Sequence, residues 1–188
     1  MRGLFTLIAS VFIGFAAYAA DPENTLMIEV AGKANGIVEI ELLPDVAPNH
    51  VAQIKKLARE GQYNDVVFHR VIDGFMAQTG DVENGKRAGF NPRLAGTGKS
   101  SYPNINAEFS DIDYVKGVVG MARSQSPHSA NSQFFIMFAP APFLNNEYTV
   151  FGRVLSGQDV VDGIKRGEGR GAKNPDYMLR VWIKADEM

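Results

Sequence analysis

The sequence predicts a mainly β fold, a closed antiparallel barrel or a sandwich, and three observations carry that prediction. About eight short apolar runs recur along the chain, glycine-containing turns separate them, and only two segments carry helical periodicity. The chain has 188 residues, of which 45% are hydrophobic and 10% aromatic, enough for one domain with a real core. There is no internal repeat and no linker. With a formal net charge of -2 the chain has no basic field, which excludes nucleic acid as a partner.

The first twenty residues differ in kind from the rest. Arg2 is the only charge before Asp21, the run from Leu4 to Phe15 is uncharged and largely apolar, and Ala17-Tyr18-Ala19 offers small residues at alternate positions. This pattern predicts a secretory signal over residues 1–20, cut after Ala19 or Ala20, ahead of a domain at 21–188. The alternative is an uncleaved membrane anchor, because Gly3 to Ala20 approaches spanning length. Cysteine is absent, which excludes disulfides, a thiol nucleophile and thiolate metal sites. An export signal without any N-x-Ser/Thr acceptor fits a bacterial periplasm.

Thr25 to Val30 and Gly36 to Leu43 alternate apolar and polar residues and predict a hairpin through Gly32 to Asn35. Val46 to Gly61 predicts an amphipathic helix, with Asp45 as its cap, Pro48 in the first turn, Val51, Ile54, Leu57 and Ala58 on the apolar face, and Gly61 at the end. Val66 to Ile72 and Phe75 to Thr79 predict a second hairpin, turned at Asp73-Gly74. Strict alternation along the first run places Phe68, Arg70 and Ile72 on one face and Val67, His69 and Val71 on the other. A permanently charged guanidinium thus stands among apolar neighbours. Its bland reading is a structural ion pair with Glu108 or Asp81.

Val82 to Ile105 predicts a long loop of the kind that is functional or mobile. It contains Gly96-Thr97-Gly98-Lys99-Ser100, which resembles the end of a phosphate-binding loop. Arg93 stands where that motif needs its first glycine and no strand or helix flanks it, so nucleotide binding is set aside. Val115 to Ala122 and Gln133 to Met137 predict strands around a polar loop, Arg123 to Asn131. In the second of them Gln133, Phe135 and Met137 share one face and Phe134, Ile136 and Phe138 the other, so one face lines a core and the other a pocket or second layer. Tyr148 to Val154 predicts a strand, Asp159 to Arg166 a short helix, and Leu179 to Ala185 a closing strand carrying Trp182.

No nucleophile elbow, zinc-helix motif or dinucleotide fingerprint is present. His50 on the helix and His128 in the polar loop read as solvated surface residues, and His69 as buried and hydrogen-bonded. The carboxylates Asp111 and Asp113 sit in a polar turn and need no catalytic explanation.

Separated motifs in one order nevertheless carry a signature. Phe68-His69-Arg70-Val71-Ile72, Gly74-Phe75-Met76, Gln78 and Gly80-Asp81 are followed by Gly120-Met121-Ala122, Ser132-Gln133-Phe134-Phe135-Ile136 and Phe151-Gly152. Over about residues 25 to 186 the chain resembles the cyclophilins, the cyclosporin-type peptidyl-prolyl cis-trans isomerases. The resemblance implies a closed eight-stranded antiparallel β-barrel capped by two α-helices, with the site on its outer surface. It implies Arg70 as the catalytic residue, Phe75, Met76, Phe135 and Leu144 as walls of a proline pocket, and Gln78, Ala122, Arg123 and Gln133 as holders of the peptide backbone. Phe143 stands where many members have tryptophan, Tyr148 where many have histidine, and Arg123 where asparagine is frequent. Lacking the indole N–H, Phe143 predicts only weak cyclosporin binding.

Physical chemistry accounts for those residue types. Rotation about a prolyl peptide bond faces a barrier of roughly 20 kcal/mol because the C–N bond is partly double. No bond is made or broken, so no nucleophile, metal or cofactor is required. A guanidinium aimed at the prolyl nitrogen localises its lone pair and interacts more strongly with the twisted bond than with the planar one, the condition for catalysis. Lowering the barrier to ~13 kcal/mol gives a turnover on the order of a thousand per second. The expected partners are proline-containing segments of unfolded or partly folded exported proteins, met by a monomer. The competing class is a module that holds such segments without useful turnover.

Overall fold

The computed structural model describes residues 20–187; the expected signal lies outside the described residues except for Ala20. In chain order the regular elements are β1 (Thr25–Ala31), β2 (Gly36–Leu42), α1 (Pro48–Arg59), β3 (Val66–Val67), β4 (Arg70–Ile72), β5 (Met76–Thr79), β6 (Val118–Met121), β7 (Phe134–Met137), β8 (Val150–Ser156), α2 (Gln158–Gly163), β9 (Gly167–Glu168) and β10 (Tyr177–Ile183). All strands join one sheet in the order β3-β10-β1-β2-β8-β6-β7-β5-β4-β9, every neighbour antiparallel.

The fold is therefore mainly β with two helices, as expected, but ten short strands replace the expected eight, and no ladder joins the two ends of the sheet among the described residues. Two local events explain the count. The expected strand Val66 to Ile72 breaks at Phe68-His69, because β3 pairs with β10 whereas β4 pairs with β5 and β9. At the break the Phe68 N–H donates to the Asp176 carbonyl at 2.8 Å, so the chain changes partner there. The second event is β9, two residues drawn from a glycine-rich stretch without periodicity.

The break also corrects the predicted faces. Val66, Phe68 and Val71 all enter the main core, while Arg70 and Ile72 point away from it. Phe68 and Arg70 do not share a face, because the alternation slips by one residue at the bend.

Along β7 the alternation holds. Phe134 and Ile136 enter the main core with Leu26, Ile40 and Phe151. Phe135 and Met137 enter a second cluster with Met76, Tyr114, Val118 and Leu144. α1 lays Val51, Ile54, Leu57 and Ala58 on the main core, as its periodicity predicts.

Two expectations for α1 fail. Its N-cap is Ala47, not Asp45, and makes no side-chain cap. The helix start is instead satisfied from a distance: one Glu108 oxygen accepts from the Asn49 N–H at 3.1 Å and the other from the His50 N–H at 3.1 Å. A carboxylate at a helix N-terminus serves both the orphan donors and the dipole. His50 is buried rather than solvated, with Nδ1 at 2.6 Å from Glu108. Burial lowers its pKa, against the opposing pull of Glu108.

Candidate active site

β5 lies between β4 and β7, and the register sets Arg70 opposite Gln78 and Gln78 opposite Phe135. Directly opposed residues share a face, so these three side chains form a row on the outer side of the sheet. Arg70 Nη1 donates to Gln78 Oε1 at 3.4 Å, Gln78 Nε2 to Gln133 Oε1 at 3.1 Å, and Gln133 Nε2 to the carbonyls of Gly96 and Gly98 at 3.1 and 2.8 Å. The row is thus anchored in the long loop after β5.

That loop is itself held by Asp81, which is completely buried. One Asp81 oxygen accepts from the N–H groups of Glu83 and Asn84 at 3.2 and 2.7 Å; the other accepts from Gly96 and Gly98 at 2.7 and 3.0 Å. A Cβ at Gly98 would collide with the Asp81 carboxylate, which explains that glycine. Gly96 and Gly98 therefore serve a protein carboxylate and not a phosphate. Asp81 and Glu108 are both committed elsewhere, and the ion partner of Arg70 is Glu168, Oε2 to Nε at 3.2 Å.

Beside the row opens a groove of about 580 Å³ lined by Arg70, Phe75, Met76, Gln78, Ala122, Arg123, Phe135, Phe143, Leu144, Glu147 and Tyr148. Every residue expected at the site lines it except Gln133, which lines an adjoining cavity of about 360 Å³ together with Gly96 to Lys99, Asn104, Asn131 and three serines. Gln78, Ala122 and Arg123 form the wall common to both. Phe135 is fixed by stacking on Tyr114, with centroids 5.8 Å apart, and by an edge contact with Tyr148 at 5.8 Å. Only glycine fits at position 120, since a Cβ there would strike both the Phe135 ring and the Tyr114 hydroxyl. Phe143 is 69% exposed and leans on Phe75, 5.6 Å between centroids, at the rim.

The geometry agrees with the comparisons. Residues 25–183 match the family model of the cyclophilin type peptidyl-prolyl cis-trans isomerase/CLD. The chain belongs to this family. A Brucella suis relative named a probable peptidyl-prolyl cis-trans isomerase is 55% identical over 190 residues, covering 96% of this chain and 95% of that one. Among solved structures, the cyclophilin AquaCyp293 from Hirschia baltica superposes with a TM-score of 0.76 at 29% identity, covering 90% of this chain and 77% of the other. A Cryptosporidium parvum cyclophilin, crystallised in the presence of the dipeptide Ala-Pro, shares the fold at 24% identity, with a TM-score of 0.71 over 85% of this chain and 98% of the other. The activity of this cyclophilin is peptidyl-prolyl cis-trans isomerisation.

Three features of the cyclophilin site were not legible in its motifs. Arg123 spends its donors on the protein: on the Glu147 carbonyl from Nε and Nη2 at 3.1 and 2.9 Å, and on the carbonyls of Ser124 and Gln125 from Nη1. Its guanidinium lies over Tyr148, 4.5 Å from the ring centre. Tyr114, from the turn after Asp113, backs Phe135 with a buried hydroxyl that has no partner among the described residues and whose pKa burial raises. His69 lies under Gly96 and is buried, as expected. Burial lowers its pKa to about 4, with the nearby Arg70 charge helping and Asp81, the Val67 backbone and Gln133 opposing, so the ring is neutral at pH 7.

Proposed function

We propose that Arg70 is the catalytic residue of this isomerase and that its substrates are Xaa-Pro segments of exported proteins in a bacterial periplasm. The row Arg70, Gln78, Gln133 beside the Phe135 slot carries the first part of this reading. Phe75, Met76, Phe135 and Leu144 take the proline ring and strip it of water. Gln78 and Gln133 fix the backbone on one side of the bond while the other side turns. Ala122 and Arg123 form the wall against which the peptide lies, and Arg123 braces that wall against Glu147 and Tyr148. Arg70 offers Nη2, which among the described residues donates to no protein group, to the prolyl nitrogen. This chemistry calls for no metal or cofactor. The sheet is read as a barrel closed by the chain itself, since only Phe68 and His69 separate β3 and β4, which stand at or next to its two ends. The protein acts as a monomer.

The second part of the reading rests on the uncharged, small-residue-terminated run before Asp21. N-terminal sequencing of protein recovered from the periplasm is expected to start at Ala20 or Asp21; an intact Met1 overturns the reading. Cyclosporin is proposed as a weak ligand, because Phe143 offers an exposed ring without an N–H donor. Calorimetry is expected to show about tenfold tighter binding for Phe143→Trp, the worth of roughly one hydrogen bond, and unchanged affinity removes the idea.

A further inference from the structure

We propose that Glu168 is a positioning residue for the isomerase reaction, gripping Arg70 at Nε so that Nη2 stays free for substrate. The proposal rests on the reading of Arg70 as catalytic.

A guanidinium is a planar fork with five N–H donors, one on Nε and two on each Nη. Glu168 Oε2 holds Nε at 3.2 Å and Gln78 Oε1 holds Nη1 at 3.4 Å. Acceptors on Nε and Nη1 fix both the position and the plane of the fork, and they leave Nη2 unpaired among the described residues. With Glu168 removed, one weak hydrogen bond would remain and the fork could turn about it.

The backbone is built to deliver this carboxylate. β9 consists of two residues, and its only ladder partner among the described residues is β4, with Glu168 directly opposite Arg70 and Gly167 opposite Val71. The chain turns sharply just beyond. A Cβ on Gly167 would come within 2.8 Å of the Gly171 carbonyl, so glycine is required there. One residue before, Arg166 Nε donates to Asp73 Oδ1 at 2.9 Å, pinning the segment to the β4–β5 turn. The segment is therefore tied to the same hairpin at both Asp73 and Arg70.

A stabilising role does not explain the arrangement. The Arg70 and Glu168 side chains are 41% and 58% exposed, and ion pairs that open to water contribute little to stability. Orientation of the fork is what remains.

The test compares wild type, Glu168→Ala, Glu168→Gln and Arg70→Ala on one Xaa-Pro peptide, with proton exchange at Arg70 Nε followed by nitrogen-15 NMR. Glu168→Ala is expected to lower kcat about tenfold, leave KM within about twofold and the melting temperature unchanged, and speed exchange at Nε. Glu168→Gln keeps an acceptor without the charge and is expected to restore kcat to within about twofold of wild type. Wild-type kcat in Glu168→Ala, unchanged exchange at Nε, or equal losses in Glu168→Ala and Glu168→Gln each overturn the proposal. Full activity in Arg70→Ala would instead overturn the reading of Arg70, a different outcome, and the exchange measurement is independent of turnover.

Discussion

Arg70→Ala is expected to lower kcat/KM by about two to three orders of magnitude while leaving the protein folded. Removing one preorganised donor from a site of developing charge typically costs that much, about 2.7 to 4 kcal/mol. The loss should fall mainly on kcat, because the guanidinium interacts more strongly with the twisted bond than with the planar one. Stability should change by no more than about 0.5 kcal/mol, because the ion pair with Glu168 is open to solvent and Gln78 keeps its bond to Gln133. Arg70→Lys should recover little, because an ammonium cannot satisfy Glu168 and Gln78 while presenting a third planar donor. A protease-coupled assay with a Xaa-Pro peptide, beside a thermal melt, reads both effects. Equal activity in wild type and mutant, or inactivity accompanied by unfolding, contradicts the assignment.

Asp81→Ala is expected to have the largest effect on stability, about 3 kcal/mol. The substitution strips four backbone N–H groups of a charged acceptor inside the protein. Each such bond is worth roughly 1.5 to 3 kcal/mol, and water entering the opened loop recovers part of the sum. In a domain of this size the melting temperature should fall by about 6 to 12 °C. Activity should fall about tenfold as well, because the Gly96 and Gly98 carbonyls would no longer anchor Gln133, nor Gln133 anchor Gln78. Urea denaturation and amide exchange at Gly96 and Gly98 check both consequences. An unchanged midpoint with both amides still protected would show that the loop does not depend on this carboxylate.

Much of the fold was legible because its long elements are periodic. The β1–β2 hairpin and the apolar face of α1 stand where alternation and the helical repeat put them, since alternate residues of the strands (Leu26, Ile28, Val30, Val38, Ile40, Leu42) and one face of the helix turn to the main core. What failed was set by distant partners. The bend at Phe68-His69 comes from a change of neighbouring strand, the cap of α1 comes from Glu108, and the buried His50 is paired with that same carboxylate. Nothing local announces such contacts. The β9 strand was invisible for a related reason: two residues, one of them glycine, carry no period, and pairing with β4 alone makes them a strand.

The site was legible to a greater depth than spacing allows, because its motifs are separated in sequence and joined by register. Arg70, Gln78 and Phe135 lie in three different strands yet stand side by side, as their family signature implied. Glu168 and Tyr114 belong to no such motif and were visible only in the packing. Arg123 shows the opposite limit, since its position beside the groove was legible but its commitment to Glu147 was not.

A crystal structure of the protein with a short Xaa-Pro peptide bound tests the central claim most directly. The proline ring is expected between Phe75, Met76, Phe135 and Leu144, with Arg70 Nη2 within about 3.5 Å of the prolyl nitrogen, the outer range of a hydrogen bond. A proline ring seated elsewhere, or a guanidinium turned away from that nitrogen, would contradict it.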